Sequence, residues 1–341
     1  MSDPSDVDAP AGGLDRRTFL TVATAVPLAA AALAACEGAR PAQGGGAAAV
    51  AAADTSTAGL PVFRRFDPEL PPLAPGRVRD FHLEARELDL RISDELVAHA
   101  WSFDGSVPGP VFRARVGDTV NITLTNTGNT PHSVDFHAGQ VDPKRAFKTI
   151  AKGQTAQYSF TPKYAGAFLY HCGTQPVLMH MGMGMYGIII VDPATPLPKA
   201  REFVLLQSEF YLAPPAGKPI RTFDYQLMLG TLPAVVAFNG YANQYLKEPI
   251  RVRRGERVRL YVGNAGPTLG CSFHIVGEQF DTVYLGAPPG NAIHGVQTYN
   301  VPAGGGMIFE LTADVPGEFP FVNHAFGHGQ KGAMGMLIVE E

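Results

Sequence analysis

Val111-Phe-Arg-Ala-Arg-Val-Gly-Asp-Thr-Val120 leads into Asn126, with Val120, Ile122 and Leu124 alternating against Thr119, Asn121, Thr123 and Thr125. Apolar residues at every second position mark a strand buried on one face. The stretch returns as Ile250-Arg-Val-Arg-Arg-Gly-Glu-Arg-Val258, leading to Asn264. Later in each half, Phe168-Leu-Tyr-His171-Cys172 is echoed by Phe321-Val-Asn-His324-Ala325, and Tyr186-Gly-Ile-Ile-Ile-Val191 by Met334-Gly-Met-Leu-Ile-Val339. On this matching His324 corresponds to His171, and Ala325 to Cys172. Short alternating segments broken by Gly, Pro and Asn run on from about Val78, the texture of an all-β sandwich. The echoes make it two such sandwiches in tandem.

At 341 residues, 45% apolar and 17% charged, the chain has the length for two ordinary domains and a tail, and the apolar content to pack them. A formal net charge of −4 gives no reason to expect nucleic acid as a partner. Cys36, Cys172 and Cys271 are too few and too scattered for a disulfide framework, so each needs its own explanation.

Residues 1–36 read as an export signal. Asp15-Arg-Arg-Thr-Phe-Leu20 leads into the apolar run from Val22 to Ala35, a pattern of the twin-arginine route, and Leu33-Ala-Ala-Cys36 resembles a bacterial lipobox. The run is shorter than the ~20 residues of a membrane span. The expectation is a protein exported by the twin-arginine route to the periplasm or the outer face of the cell membrane, with Cys36 as its lipid anchor. Residues 37–75, rich in Ala, Gly and Pro, read as a flexible linker.

Cys172, His180 and Met185 share one loop, with seven residues between the first two and four between the second and third. With His132, from Pro131-His-Ser-Val-Asp-Phe-His137, they offer a thiolate, two imidazoles and a thioether, the ligand set of a blue-copper electron-transfer centre. Met181 and Met183 compete for the axial place, but Met185 directly precedes the next strand. The bland alternative is a buried thiol beside a Met-rich core run. Neighbours on a strand point to opposite faces, so His171 cannot ligate the ion that Cys172 holds. A second copper held by His137, His171 and His324 would have three imidazoles and an open position, the design of a catalytic metal.

From about Val78 to Glu341 the chain resembles the copper-containing nitrite reductases, on Pro131–His137, Tyr170-His-Cys172, Met179-His180, Gly184-Met-Tyr-Gly187, Ser272-Phe-His274 and Val322-Asn-His324. The resemblance implies two cupredoxin-like Greek-key domains, residues 76–196 with the type 1 copper and 197–341 supplying a type 2 ligand, hence two copper ions per chain. It implies a homotrimer in which His137 and His171 of one subunit meet His324 of the next. It also implies reduction of nitrite to nitric oxide and water, with electrons from a small blue copper protein or a cytochrome c passing along the Cys172–His171 link. Asp135 and His274 would supply the protons. Val276, where the family commonly has isoleucine, implies a slightly roomier substrate pocket. Cys271 is expected to pack as a small hydrophobe, His82, His99 and His294 to lie at the surface, and His328 has no role in this scheme.

Two competitors stay open at this point. A two-domain multicopper oxidase would share the sandwich and the blue copper, but its copper cluster requires His-x-His pairs, and none of the ten histidines is so paired. A tethered blue-copper electron carrier would leave His137, His171 and His324 without a common purpose.

Overall fold

The computed structural model describes residues 59–341; the signal at 1–36, Cys36 and the linker up to residue 58 lie outside the described residues. In the first sandwich, Ile220–Arg221, Val97–Phe103, Val78–Arg91, Thr119–Asn126 and Thr155–Phe160 form one sheet, in that order. Val111–Arg115, Tyr186–Asp192, Gly166–His171 and Asp135–Phe136 form the other. In the second, Val235–Phe238, Arg201–Phe210, Arg257–Gly266, Gly305–Thr312, Phe280–Tyr284 and Ala292–Val296 face Glu248–Arg253, Met334–Glu340, Gly317–Asn323, Cys271–Ile275 and Thr298–Val301. Each sheet joins antiparallel neighbours to a parallel pair, such as Val111–Arg115 with Tyr186–Asp192 and Glu248–Arg253 with Met334–Glu340. Parallel partners need crossover connections. Both halves are cupredoxin-like sandwiches.

Apolar side chains at alternate strand positions fill each interior, around Phe136, Tyr170 and Ile189 in the first sandwich and Phe273, Phe309 and Phe321 in the second. A third cluster lies between the sandwiches, where Leu169, Ile188 and Ile190 meet Val204, Leu206 and Ile308. Burying such a side chain contributes about 1.5–3 kcal/mol, so this shared layer fixes one domain against the other.

The linker expected to run to residue 75 is already docked well before that point. Phe63 packs on Tyr241 with ring centroids 4.3 Å apart, Phe66 N donates to Gln244 Oε1 at 2.9 Å, and Leu70 N donates to Glu202 O at 3.0 Å. Aromatic residues and backbone donors scattered through 61–75 carry these contacts, and a proline-rich composition concealed them.

The internal repeat is real, but its register late in each half differs from the sequence matching. Tyr170 pairs with Gly187, and Phe321, not Asn323, pairs with Gly335. The aromatic ring lies over the glycine in both halves, and a Cβ on either glycine would run into it. Gly166 and Gly317 start these strands at φ 147° and 157°, each with its position filled by the phenylalanine two residues on. Cys172 N donates to Met185 O and Asn323 N to Ala333 O, both at 3.0 Å. The counterpart of Cys172 is therefore Asn323, not Ala325, and the counterpart of His171 is Val322, not His324. Matching identical letters slid the second copy by two residues, because glycine and aromatic packing sets the register and the histidines do not.

Asn126 and Asn264 are equivalent latches. Asn126 Nδ2 donates to Thr130 O at 2.9 Å and Ile150 O at 3.0 Å, and its Oδ1 accepts from Gly128 N. Asn264 Nδ2 donates to Leu269 O at 2.8 Å and Val301 O at 3.0 Å, and its Oδ1 accepts from Gly266 N. Both side chains are fully buried, so each closes the loop that follows its strand by satisfying groups water cannot reach.

Candidate metal centres

The Asn126 latch positions the first site. Ile150, whose carbonyl it holds, also exchanges backbone hydrogen bonds with His132. Opposite, strand Gly166–His171 ends at Cys172, and the chain returns through a short helix, Val177–Gly182, that carries His180. His132 Nδ1 and His180 Nδ1 lie 3.3 Å apart, and Cys172 Sγ lies 3.9 Å from the first and 3.3 Å from the second. These separations would let one first-row metal be held by all three donors at roughly the 2.0–2.3 Å usual for nitrogen and sulfur ligands. All three side chains are buried, and burial pushes both histidines down to about 4, the neighbouring ring adding to the effect at His132. They are then neutral, lone-pair donors at neutral pH, as a metal requires. Ser133 N donates toward Cys172 Sγ from 3.4 Å.

Met185 is fully buried in the same cluster, tied by its carbonyl to Cys172 N and by its own N–H to His180 O at 3.2 Å. Met183 shares that cluster, and its carbonyl accepts from Trp101 N. Trp101 was missed by sequence reasoning. Its ring stands edge-on to His180 and His132 at 4.8 and 5.3 Å and closes the site from the side. The available signal was that this is the chain's single tryptophan, placed in an apolar strand.

The second group lies on the outer side of the same strands. Asp135 pairs across the sheet with His171, and His137 N donates to Leu169 O. The ligand atoms of Asp135, His137 and His171 lie within 4.8 Å of one another, and His137 Nε2 is 2.9 Å from His171 Nε2. His171 Nδ1 donates to the carbonyl of Cys172 at 3.0 Å, which orients the ring and leaves Nε2 as the free donor. His137 keeps an exposed edge, but loss of hydration where its ring meets the protein, then the His171 ring, holds it below the usual histidine range.

His324 joins neither group; among the described residues these two are the clusters of three or more His, Cys, Asp or Glu donors. The three imidazoles expected around one ion are thus not brought together within a single chain. His324 instead faces His274, ring centroids 5.2 Å apart, and Phe326 at 4.5 Å. His274 Nδ1 donates to Gln297 O at 2.7 Å, leaving Nε2 free. Val276, two residues along the same face, is 45% exposed. Cys271 is fully buried in the second core, where burial drives its thiol far up. His82, His99 and His294 are exposed, while His328 is half-buried with Nδ1 3.2 Å from Asn323 Nδ2.

Sequence profiles described as multicopper oxidase match residues 85–196 and 218–341, one for each sandwich. The copper-containing nitrite reductase of Neisseria meningitidis is 40% identical over 285 residues, spanning 80% of this chain and 73% of the relative. Among solved structures, copper nitrite reductase from Nitrosomonas europaea superposes with a TM-score of 0.71 at 36% identity, covering 77% of this chain and 94% of that one. A multicopper oxidase structure follows with a TM-score of 0.69 at 28% identity, covering 77% and 89%. With this degree of identity sustained across both sandwiches, the chain belongs to the copper-containing nitrite reductases.

Proposed function

We propose that this enzyme reduces nitrite to nitric oxide and water with two copper ions per chain, one held by Cys172, His132, His180 and Met185, the other by His137 and His171 with His324 of a neighbouring copy. The observation that carries the reading is the division of the second site. His137 and His171, with Asp135 beside them, form one half, and His324 with His274 forms the other. Each half presents an imidazole at the surface of its own sandwich, His137 in one and His324 in the other. A homotrimer would complete every site by joining the halves around a ring.

Copper in the buried set would take up single electrons, and copper in the shared set would pass them to nitrite. The chain supplies the rest. Cys172 and His171 are covalent neighbours, so the two donor sets are joined by a few bonds of one strand end. The reaction takes up two protons with its electron, and Asp135 and His274 are the groups to deliver them. His274 Nδ1 is anchored on Gln297 O, which aims Nε2 outward as the proton-carrying atom. Val276 would border the substrate on the His274 side.

The export reading completes the picture. Residues 1–36 would send the folded chain out by the twin-arginine route, and a lipid on Cys36 would hold it at the outer face of the cell membrane. Its electrons would come from a small blue copper protein or a cytochrome c. The separate domain roles, type 1 copper in 76–196 and the type 2 ligand from 197–341, follow from the same assignment.

Metal analysis and His324→Ala test the division of sites. The wild type is expected to hold two copper ions per chain and to form nitric oxide from nitrite with a reduced dye. His324→Ala should keep the blue colour, hold about one ion and lose nitrite reduction by a factor on the order of a thousand or more. Loss of the colour as well would sink this assignment, and a single ion in the wild type would favour a tethered electron carrier.

A further inference from the structure

We propose that Asn323 is the positioning residue of the His274–His324 half-site. It sits where the first sandwich has Cys172, and its carboxamide makes the strand-to-strand connection that the thiol position makes there. The proposal rests on the reading of His324 as a copper ligand and His274 as a proton donor.

Asn323 is fully buried and uses both ends of its side chain. Oδ1 accepts from Ser272 N at 3.2 Å and from Ala325 N at 3.0 Å. Nδ2 donates to Gln207 Oε1 at 2.8 Å and Gly270 O at 3.1 Å, with His328 Nδ1 at 3.2 Å. His324 lies between Asn323 and Ala325, whose N–H this amide holds, and its own N–H donates to Ser272 O at 2.7 Å. Ser272 is two residues before His274 on the strand Cys271–Ile275, so both project to one face. One side chain therefore ties the backbone that carries the ligand to the backbone that carries the proton donor, and the paired rings inherit that spacing.

The parallel with the first sandwich identifies the device. Ser133 N points at Cys172 Sγ as Ser272 N points at Asn323 Oδ1. Met185 N donates to His180 O as Ala333 N donates to His328 O. His328 thus stands where His180 stands, with Nδ1 toward Asn323 as His180 Nδ1 is toward Cys172. Where the first sandwich gathers donors for an ion, the second closes the same corner with an amide, a glutamine and one imidazole. A site built on a rigid second layer holds its metal better, and loss of such a layer costs about 10- to 100-fold in affinity.

The test uses the full-length, copper-loaded protein. Asn323→Leu keeps the volume and removes every hydrogen bond, while Asn323→Asp keeps the acceptor facing Ser272 N and Ala325 N. With Asn323→Leu the blue absorbance should persist, and a chelator should remove the second copper at an at least tenfold lower concentration. The electron paramagnetic resonance signal of that copper should broaden, and Asn323→Asp should restore most of its retention. If Asn323→Leu does not fold, Gln207→Leu, which strips one partner from Nδ2, should shift chelator sensitivity the same way by a smaller factor. Unchanged retention and signal in a blue Asn323→Leu protein, or in Gln207→Leu when it is the variant that folds, would overturn the proposal. His324→Ala run in parallel separates the two readings. If it too keeps the second copper, the site assignment has failed; if it alone loses copper, only the role of Asn323 has.

Discussion

At one end of the first sandwich Cys172, His132, His180 and Met185 converge, and at the same end of the second the matching positions are Asn323, Cys271, His328 and Ala333. The frames around these corners are nearly superimposable in their bonding: Asn126 with Asn264, Gly166 with Gly317, Gly187 with Gly335. Asp135 and His274, the two proton groups of the proposed reaction, also hold equivalent positions, opposite His171 and Val322 on the adjoining strand. The contrast separates the residues that make the fold from those that make the site. Backbone latches and glycine seats recur because a sandwich needs them, whereas the corner between them can hold a metal set or an amide knot. Substitutions on either side should then act separately on frame and corner.

The largest expected effect is on the corner that differs. In the metal-free protein His132 and His180 are held at about 4 by burial, against an ordinary 6.5 when unfolded. Between those values the unfolded chain binds more protons than the folded one. Stability therefore falls as pH drops from about 6.5 toward 4, by on the order of 3 kcal/mol for each ring. The second corner has one imidazole, His328, lowered by burial and then by Lys331, and contributes less. Urea unfolding of the metal-free protein across this range measures the slope. A His132→Gln, His180→Gln variant should flatten it, and a slope that survives both substitutions would assign it to carboxylates elsewhere.

The frame is the next target. Asn126→Ala strands the carbonyl of Thr130 and takes one of two partners from Ile150 O, which keeps His132 N, and from Gly128 N, which keeps Ala85 O, while Asn264→Ala takes the side-chain partner from Leu269 O, Val301 O and Gly266 N. An unsatisfied buried group costs about 1–3 kcal/mol, so each variant should lose roughly 3 kcal/mol by denaturant unfolding, and the two losses should agree within about 1 kcal/mol. A large inequality would show that the recurring asparagines do different jobs. Asn126→Ala should also weaken the blue colour, since Ile150 braces His132, while Asn264→Ala should leave it unchanged.

Period-two alternation and the Gly-centred turns made both sandwiches legible, because they reflect backbone rules that act locally. Cys172, His180 and Met185 were legible because three donors of unlike chemistry on one loop are rare. Three things were hidden. The register of the late repeat depends on which ring covers which glycine, a contact between strands. Trp101 belongs to the first site through tertiary packing alone. The docking of residues 61–75 uses isolated side chains such as Phe63 and Phe66 in a stretch whose composition reads as linker. His274 was named by resemblance, whereas His324 was first named through the repeat, which does not support it, since the residue matching His171 is Val322.

The smallest effect is expected at Arg251, and it sharpens the comparison from the opposite side. Arg251 pairs with Glu340 at 2.8 Å, and its counterpart in the first sandwich, Arg113, pairs with Asp192 at 2.9 Å on the equivalent strands. The geometry is alike and the surroundings are not. The side chains of Arg251 and Glu340 are 56% and 50% exposed, those of Arg113 and Asp192 only 15% and 11%, and Arg113 also reaches Glu202 of the second domain at 3.0 Å. An exposed pair pays in side-chain freedom for most of what it gains in attraction, so Arg251→Ala should change unfolding free energy by less than about 0.5 kcal/mol. Removing one member of a buried pair instead leaves a carboxylate without compensation, a loss of about 3–5 kcal/mol at sites like Arg113. Denaturant unfolding of the two alanine variants reads the contrast directly. Equal losses at Arg251 and Arg113 would mean that strand position, and not burial, sets the strength of these pairs.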